Sequence, residues 1–431
     1  MARRPRHAPL SVFLNGSLIG TLRRASSGAV SFQYAPSWLN DAGAMPVSLS
    51  LPLREQSYSG EPVIAVFDNL LPDNEAIRRR VAERVGAGGT DAYSLLSSIG
   101  RDCVGALQFL NGDEYPDDLG VVNGEPIDDA GIAAILANLT TCPLGLGGDD
   151  AFRISLAGAQ EKTALLQHNG KWLKPIGTTA TTHILKPSIG RLPNGMDLTH
   201  SVENEFLCLK LLAMLGLPVT TVEMADFAGR RVLVVERFDR RWTPDGRLLR
   251  LPQEDCCQAL GVPPTRKYQS EGGPGLRNLL ELMSGSDEPE RDQRVIMKAA
   301  MAFWLLGATD GHGKNFSLML GTGGRFHLAP LYDVLTVQPL YDSGGIRRTE
   351  MKLAMSAGDN RHYRVDEIRL RHFIQTAARA NVGRSIVESC FAEIEASMSD
   401  ALAAVAALDV PAALVETVSQ GIRARIASAA D

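Results

Sequence analysis

The segment GATDGHGKNFSL, at positions 307–318, carries the side chains best suited to chemistry. Asp310 and Asn315 lie five positions apart in it, and Asp333 follows eighteen positions later in the segment LAPLYDV. A carboxylate, an amide and a second carboxylate in this order suit phosphoryl transfer, which needs a positioned hydroxyl and oxygen ligands for Mg²⁺. The spacing alone leaves open an alternative, in which these residues only shape a glycine-rich turn and cap a local element.

Two positions upstream could complete such a site. In the strand predicted for THILKP, alternation places Lys186 on the same face as Thr182 and Ile184. Glu205 lies in the first turn of a helix that Ser201 is predicted to cap, and it could pair with Lys186. The alternative is a surface lysine and a glutamate that the helix dipole favours.

A third segment, ISLAGAQEKTALL at 154–166, could approach phosphates. Its pattern predicts strands at 152–156 and 163–167, joined by a turn of small residues whose backbone N–H groups can face an anion. Gly158 is the only glycine in the turn, so the segment is not a GxGxxG loop. By itself it is a weak indication of a phosphate site.

The elements that would position these residues follow from apolar patterning. The pair Asn15-Gly16 between two apolar runs predicts a hairpin at the N-terminal end. An apolar helix is predicted over 295–306, directly before the glycine-rich segment, and a hairpin over 316–328 after it. The catalytic candidates should therefore lie on a loop that a rigid helix holds, where functional residues are common.

Composition limits the function classes. The chain has 431 residues, with 44 basic and 49 acidic side chains and a net charge of −5, so no global basic field is available for nucleic acid. The longest apolar run, 299–308, is shorter than the ~20 residues of a membrane span. The start lacks the apolar region of a signal peptide, and the six cysteines form no CxxC pair. A protein of the reducing cytoplasm with no membrane association is expected.

Seven motifs, in this order, resemble those of the HipA family of serine/threonine kinases, the toxins of bacterial toxin–antitoxin modules. They are FRISLAGAQEKTALL at 152–166, TTHILKP at 181–187, SVENEF at 201–206, ERFDRRW at 236–242, LRLPQED at 249–255, GATDGHGKNFS at 307–317 and LAPLYDV at 328–334.

The resemblance implies roles for individual residues. Asp310 corresponds to the catalytic base, Asn315 and Asp333 to the Mg²⁺ ligands, and Lys186 to the partner of the ATP phosphates. Ser155 corresponds to the serine whose autophosphorylation drives the phosphate loop out and inactivates the kinase. The residues expected to meet the nucleotide are Ala157, Gly158, Ala159, Gln160, Glu161, Lys162, Lys186, Glu236, Arg237, Phe238, His312, Gly313, Lys314, Asn315, Tyr332 and Asp333.

The resemblance also implies an α+β, two-lobed, protein-kinase-like fold. We predict a β-rich N-terminal subdomain at 1–110, a small lobe with the phosphate loop at 111–238, and a largely helical C-terminal lobe with the catalytic loop at 239–431. The cofactors would be ATP and Mg²⁺.

The implied partners are a dimeric helix-turn-helix antitoxin resembling HipB, operator DNA reached mainly through that antitoxin, and a protein substrate. The family precedent for the substrate is an aminoacyl-tRNA synthetase, most familiarly glutamyl-tRNA synthetase, whose phosphorylation causes growth arrest or persistence.

Two other functions remain open on the sequence. A small-molecule phosphotransferase would keep the same Asp-x4-Asn arrangement, although the PQED segment and the N-terminal subdomain argue against it. A catalytically idle corepressor of a DNA-binding partner would not need the intact set of Lys186, Asp310, Asn315 and Asp333.

Overall fold

The computed structural model describes residues 7–116, 119–146 and 153–429. Contacts within the chain divide it into two compact units. Unit 1 consists of the described parts of Met1–Pro187, Ala225–Thr265 and Leu318–Phe326. Unit 2 consists of the described parts of Ser188–Met224, Arg266–Ser317 and His327–Asp431. The domain boundaries expected at 110 and 238 stay predictions.

The strands of the described chain are short. In chain order they are β1 Leu10–Leu14, β2 Ser17–Arg24, β3 Val30–Tyr34, β4 Tyr58–Ser59, β5 Leu107–Asn111, β6 Gly124–Pro126, β7 Thr163–His168, β8 Lys171–Pro175, β9 His183–Pro187, β10 Gly190–Arg191, β11 Asp197–Leu198, β12 Val222–Phe227, β13 Arg230–Glu236, β14 Arg240–Trp242, β15 Leu248–Arg250, β16 Gln253–Asp255, β17 Ser317–Leu320, β18 Phe326–Leu328, β19 Lys352–Ala357 and β20 His362–Arg364.

The longest helices lie in the C-terminal half of the chain. In chain order they are α1 Pro36–Leu39, α2 Glu61–Asp68, α3 Glu75–Val85, α4 Ala92–Ile99, α5 Asp129–Ala137, α6 Ser201–Met214, α7 Cys256–Ala259, α8 Leu276–Met283, α9 Pro289–Leu306, α10 Gln338–Asp342, α11 Leu370–Arg379, α12 Arg384–Val405 and α13 Ala412–Ala427.

The predicted N-terminal hairpin is confirmed. Strands β1 and β2 pair antiparallel, and the turn residues Asn15 and Gly16 have φ of 46° and 83°. Positive φ at both positions is the geometry that Asn-Gly adopts most readily. The hairpin belongs to a five-stranded sheet of order β4-β3-β2-β1-β5, whose buried face includes Leu10, Val12 and Phe32.

A second sheet in the order β12-β13-β9-β7-β8-β6 carries the strand predicted for THILKP. Its buried core packs Leu165, Leu185 and Val232 together with Ile132 of α5. Strand β9 lies between β7 and β13, with Lys186 opposite Leu233. Lys186 therefore projects from an interior strand, where the backbone is held on both sides.

The strand predicted at 152–156 is wrong for the described positions 153–156, which form no strand. Phe152 lies outside the described residues. The N–H of Ser155 donates to the carbonyl of Asp102 at 2.9 Å. This segment is extended and buried, but its hydrogen bond goes to a loop carbonyl. The second strand of the predicted pair is confirmed as β7.

Unit 2 is largely helical and has its own core. Helix α9 supplies Trp304, which is fully buried and donates from Nε1 to the carbonyl of Val365 at 3.0 Å. Phe373 of α11 packs against the indole, with ring centroids 5.7 Å apart. The helix predicted at 295–306 is confirmed and begins earlier, at Pro289.

Helix α6 shows a small departure from the prediction. Its N-cap is His200 rather than Ser201. The hydroxyl oxygen of Ser201 instead accepts from the N–H of Ile189 at 2.8 Å, so this side chain joins the helix to the preceding strand connection.

Within the ranges that the structure describes, no helix combines the length and the apolar character needed to cross a membrane. All six cysteines carry free thiols.

Candidate active site

The candidate catalytic loop, residues 307–317 and called the catalytic loop below, begins where helix α9 ends. Gly307 closes the helix in the left-handed conformation, with φ 68°, and its N–H donates to the carbonyl of Trp304 at 3.1 Å. Gly311 lies against Phe303, since a Cβ at this position would come within 2.6 Å of the phenyl ring. The loop is therefore seated on a buried helix by a contact that only glycine permits.

Asn315 joins the two candidate carboxylate positions. Its Nδ2 donates to the carbonyl oxygen of Asp310 at 3.1 Å and to that of Asp333 at 3.3 Å. The N–H of His312 also donates to the carbonyl of Asp310, at 2.8 Å. Unit 2 thus brings together the base candidate and both metal-ligand candidates that the spacing suggested.

Asp333 has a special backbone conformation. Its φ is 58°, in the left-handed region that aspartate tolerates better than most residues. The preceding Tyr332 donates its hydroxyl to the carbonyl of Lys314 at 3.0 Å and lies 2.6 Å from the hydroxyl of Ser317. These bonds fix the segment that carries Asp333 to the catalytic loop.

The side chains of the loop differ sharply in exposure. Asp310 is 63% exposed, whereas His312 is 3% exposed. Lys314 is also buried. An exposed carboxylate on a buried platform can meet a substrate from solvent, while the nucleotide contacts expected of His312 and Lys314 stay predictions.

The oxygen atoms of this loop fit Mg²⁺. Because both amide hydrogens of Asn315 are directed at carbonyl oxygens, its Oδ1 remains to bind a cation, and Asp333 adds a carboxylate. Mg²⁺ takes few protein oxygens and completes its octahedron with phosphates and water. In the described part of the chain, no three His, Cys, Asp or Glu side chains gather in a group that could hold a metal.

Ser155, the expected phosphorylation site, is fully buried in unit 1. Its hydroxyl donates to the carbonyl of Leu70 at 2.8 Å. A kinase cannot reach a hydroxyl in this position. Phosphorylation of Ser155 would therefore require this segment to leave its site.

The candidate phosphate loop, residues 157–162, is held by its own side chains and by α3. Lys162 is buried and donates from Nζ to the carbonyl of Ala157 at 2.6 Å. Glu161 pairs with Arg80 at 2.5 Å. Gly158 has a φ of 106°, and a Cβ there would come 2.6 Å from the Lys162 ammonium, so glycine is needed at this point of the turn.

The remaining nucleotide-site candidates also belong to unit 1. Strand β13 ends at Glu236, which pairs in register with His183 of β9. The N–H of Arg237 donates to the carbonyl of Thr182 at 2.9 Å. The adenine contacts of 236–238, and the pairing of Lys186 with Glu205, stay predictions.

The side chain of Arg237 belongs to a buried charge network that the sequence did not reveal. At the centre is Asp102, whose carboxylate lies 2.8 Å from Arg240, 3.0 Å from Arg250 and 3.4 Å from Arg237. Asp239 adds a second carboxylate, 2.8 Å from Arg237. Every member is buried, so the charges are stabilised mainly by one another rather than by solvent.

The pKa values follow from this arrangement. Burial alone would raise the pKa of Asp102, but the guanidinium groups of Arg240, Arg250 and Arg237 outweigh it and hold that pKa well below its usual range. Burial lowers the pKa of Arg240 to about 10. Asp102 and Arg240 are therefore both ionised at neutral pH.

Glu254, in the PQED motif, is a second buried acid of unit 1. Its Oε1 accepts from the N–H of Leu49 at 2.9 Å, while its Oε2 has no hydrogen-bond partner among the described residues. Burial raises the pKa of Glu254 to about 8. This carboxyl is thus mostly protonated at neutral pH, in contrast to Asp102.

Tyr268 also lies at the catalytic loop, although its sequence position gave no indication of this. Its hydroxyl donates to Oδ1 of Asp310 at 2.5 Å. The one available signal was the glycine-rich stretch EGGPG that follows it.

Comparison with known proteins gives consistent matches. The family model "HipA N-terminal domain" matches residues 10–110, and "HipA-like C-terminal domain" matches residues 154–402. A protein of Sinorhizobium fredii with the name "Putative kinase Y4mE" is 37% identical over 400 residues, covering 92% of this chain and 91% of the relative. The serine/threonine-protein kinase toxin HipA of Shewanella oneidensis is 29% identical, covering 81% of this chain and 78% of the toxin.

A solved structure matches over almost the full length. It is the complex of HipA, HipB and operator DNA from Shewanella oneidensis MR-1, with a TM-score of 0.81, 25% identity and 97% of each chain covered. This match confirms the predicted α+β, kinase-like fold. Together, the two family models and the full-length relatives show that the chain belongs to the HipA family of kinases.

Proposed function

We propose that the chain is an ATP- and Mg²⁺-dependent serine/threonine protein kinase and the toxin of a toxin–antitoxin module. The arrangement of Asn315, whose amide bonds to the carbonyls of both Asp310 and Asp333, is the observation that carries the proposal. This amide joins the loop with the base candidate to the segment with Asp333, which supports a site for phosphoryl transfer.

In the proposed reaction, Asp310 accepts the proton of the substrate hydroxyl as the hydroxyl oxygen bonds to the γ-phosphorus and the bond to ADP breaks. Asn315 and Asp333 would hold Mg²⁺, which supplies neutralisation of phosphate charge. The exposure of Asp310 suits a base that must meet a protein substrate.

The test is phosphotransfer by the Asp310→Asn variant. A positioned base contributes about 10² to 10⁴ in rate, so we expect a loss of that size in transfer from ATP to protein, together with loss of growth arrest on expression. Asp400→Asn, an exposed acid on α12, is the matched control and should keep full activity. Growth arrest by Asp310→Asn at equal expression would contradict the kinase mechanism.

We propose a serine of an aminoacyl-tRNA synthetase as the substrate, with glutamyl-tRNA synthetase as the first candidate. The resemblance to the family supports this choice. Incubation of the protein with the synthetase and labelled ATP should give phosphoserine on the synthetase. Labelling of other proteins but not of any synthetase would contradict it.

We also propose a dimeric helix-turn-helix antitoxin as the partner, because the similar structure from Shewanella oneidensis holds HipA together with HipB and operator DNA. With a net charge of −5, the chain alone should bind operator DNA weakly at physiological salt. Fluorescence anisotropy should show tight operator binding only with the partner. Tight, sequence-specific binding by the chain alone would be inconsistent with this role.

Ser155 is proposed as the autophosphorylation site that switches the kinase off. Its hydroxyl is buried against the Leu70 carbonyl, and a phosphate of about −1.5 to −2 charges has no room or solvation there. The modified segment would therefore remain outside. Mass spectrometry should find phosphate on Ser155 in the parent and none in Asp310→Asn, and an active parent without it would refute the switch.

A further inference from the structure

We infer that Tyr268 is the positioning residue of the candidate base: its hydroxyl orients the Asp310 carboxylate for proton transfer. This inference rests on the proposed kinase function.

The backbone and the side chain of Asp310 are held by different groups. Two hydrogen bonds, from the N–H of His312 and from Nδ2 of Asn315, hold its carbonyl oxygen. Its side chain is 63% exposed. An exposed aspartate on a loop rich in glycine samples several rotamers, whereas a base must stay aligned with the hydroxyl that it deprotonates.

Tyr268 contacts the side chain of Asp310 directly. Its hydroxyl donates to Oδ1 of Asp310 at 2.5 Å, a short bond of the charge-assisted kind. The nitrogen Nε2 of His312 also lies on the Oδ1 side, 4.0 Å away, so we assign Oδ2 as the oxygen that accepts the substrate proton. The bond thus selects one rotamer and one of the two oxygens.

The phenol ring is itself held in place. It meets the ring of His312 edge to face, with centroids 4.9 Å apart and an interplanar angle of 83°. The histidine side chain is 3% exposed, so it is a rigid packing surface for the phenol ring. An aromatic pair in this geometry contributes stability beyond its buried area.

The backbone of Tyr268 is fixed by the glycine-rich stretch that follows. Its carbonyl accepts from the N–H of Glu271 at 3.0 Å and from that of Gly273 at 2.9 Å. Gly272 has a φ of 90°, and a Cβ at Gly273 would clash with the carbonyl oxygens of Arg266 and Tyr268. This tight turn exists only with glycine, and it brings the phenol to Asp310.

The neighbouring Gln269 anchors the same turn to another part of unit 2. Its Oε1 accepts from the N–H of Ser356, in β19, at 2.7 Å. A Cβ at Gly275 would overlap the amide of Gln269. The contact with the His312 ring, the tight turn at 268–273 and the bond from Ser356 to Gln269 together fix the position of Tyr268.

The test compares Tyr268→Phe with the parent. The phenyl ring keeps its contact with His312, while the bond to Asp310 is lost. We expect kcat to fall about 10- to 100-fold, with the KM for ATP unchanged. Tyr341→Phe, which removes a hydroxyl from α10 in the same unit, is the matched control and should leave kcat and KM unchanged.

A second acceptor separates base positioning from substrate binding. Water is the acceptor in ATP hydrolysis without a protein substrate, so misalignment of the base should reduce hydrolysis and protein phosphorylation to a similar degree. A loss confined to the protein substrate would overturn the inference, as would an unchanged or increased kcat in Tyr268→Phe. A parent that transfers no phosphate at all would instead refute the proposed function, on which the inference depends.

Discussion

Asp102 in unit 1 and Asp310 in unit 2 are both hydrogen-bonded aspartates, yet they lie in opposite environments. The side chain of Asp102 is 2% exposed and lies within 3.4 Å of three arginines. Asp310 is 63% exposed, with a tyrosine hydroxyl at 2.5 Å and a histidine nitrogen at 4.0 Å. Arginine partners neutralise the first carboxylate, whereas the second is largely exposed to solvent.

The difference in burial suggests that Asp102 contributes to stability, whereas Asp310 is the proposed reactive group. A buried charge costs free energy unless its partners surround it, so Asp102 serves the fold only as part of a complete network. Asp102 lies in the segment that matches the HipA N-terminal domain, and its three arginines lie in the segment that matches the HipA-like C-terminal domain. The network therefore joins the two family domains within unit 1. We expect that the exposed Asp310, the proposed base, can be changed without unfolding the chain.

The largest stability effect should follow from Asp102→Asn. Removal of one partner from a buried network costs about 3–5 kcal/mol, because the remaining guanidinium charges are left uncompensated. Urea unfolding followed by circular dichroism should show the loss as a lower midpoint. The pKa of Asp102 is depressed in the folded protein, so its stabilisation is present above the ordinary pKa of an aspartate and is lost as the pH falls below it.

Asp245→Asn is the matched control for the network. Asp245 pairs with Arg247 at 2.7 Å, but its side chain is 58% exposed, so solvent screens the pair and its substitution should change stability little. Equal decreases in the urea midpoint for Asp102→Asn and Asp245→Asn would contradict the prediction that the buried ion pairs contribute more to stability.

An intermediate effect is expected from Glu254→Gln. Burial raises the pKa of Glu254 from 4.5 to about 8, so the folded state holds a proton that the unfolded state has released. Stability should therefore decrease as the pH rises from about 5 to 8, by about 1.4 kcal/mol per pH unit. Glu254→Gln has no carboxyl to titrate and therefore lacks this pH-dependent loss of stability. Relative to the parent, its urea midpoint should rise as the pH rises. Parallel pH profiles for the two proteins would contradict the assignment.

The smallest stability effect should come from Asp310→Asn. Substitutions at exposed positions usually change stability by less than about 0.5 kcal/mol, so its urea midpoint should match that of the parent even where activity is lost. A clear shift in the midpoint would mean that Asp310 has a structural role, which would remove the contrast with Asp102.

Several features of the protein were determined by the sequence itself, because they depend on local physics. The hairpin at Asn15-Gly16 needs only positive φ at two adjacent positions, and the helix before the catalytic loop needs only an apolar pattern and a glycine stop. The spacing of Asp310, Asn315 and Asp333 likewise predicted that the three would lie together, since a short hairpin returns the chain to the same point.

Only the tertiary structure decided the contacts between distant segments. Asp102 meets Arg250 across 148 positions, and Ser155 meets Leu70 across 85 positions, so no pattern in either segment predicts the burial of Ser155. The bond from Tyr268 to Asp310 spans 42 positions. The glycines that follow Tyr268 predict a tight turn, but they do not predict which residue Tyr268 contacts. Local propensity specifies which elements form, whereas packing of distant surfaces specifies which polar groups are buried and which stay exposed to a substrate.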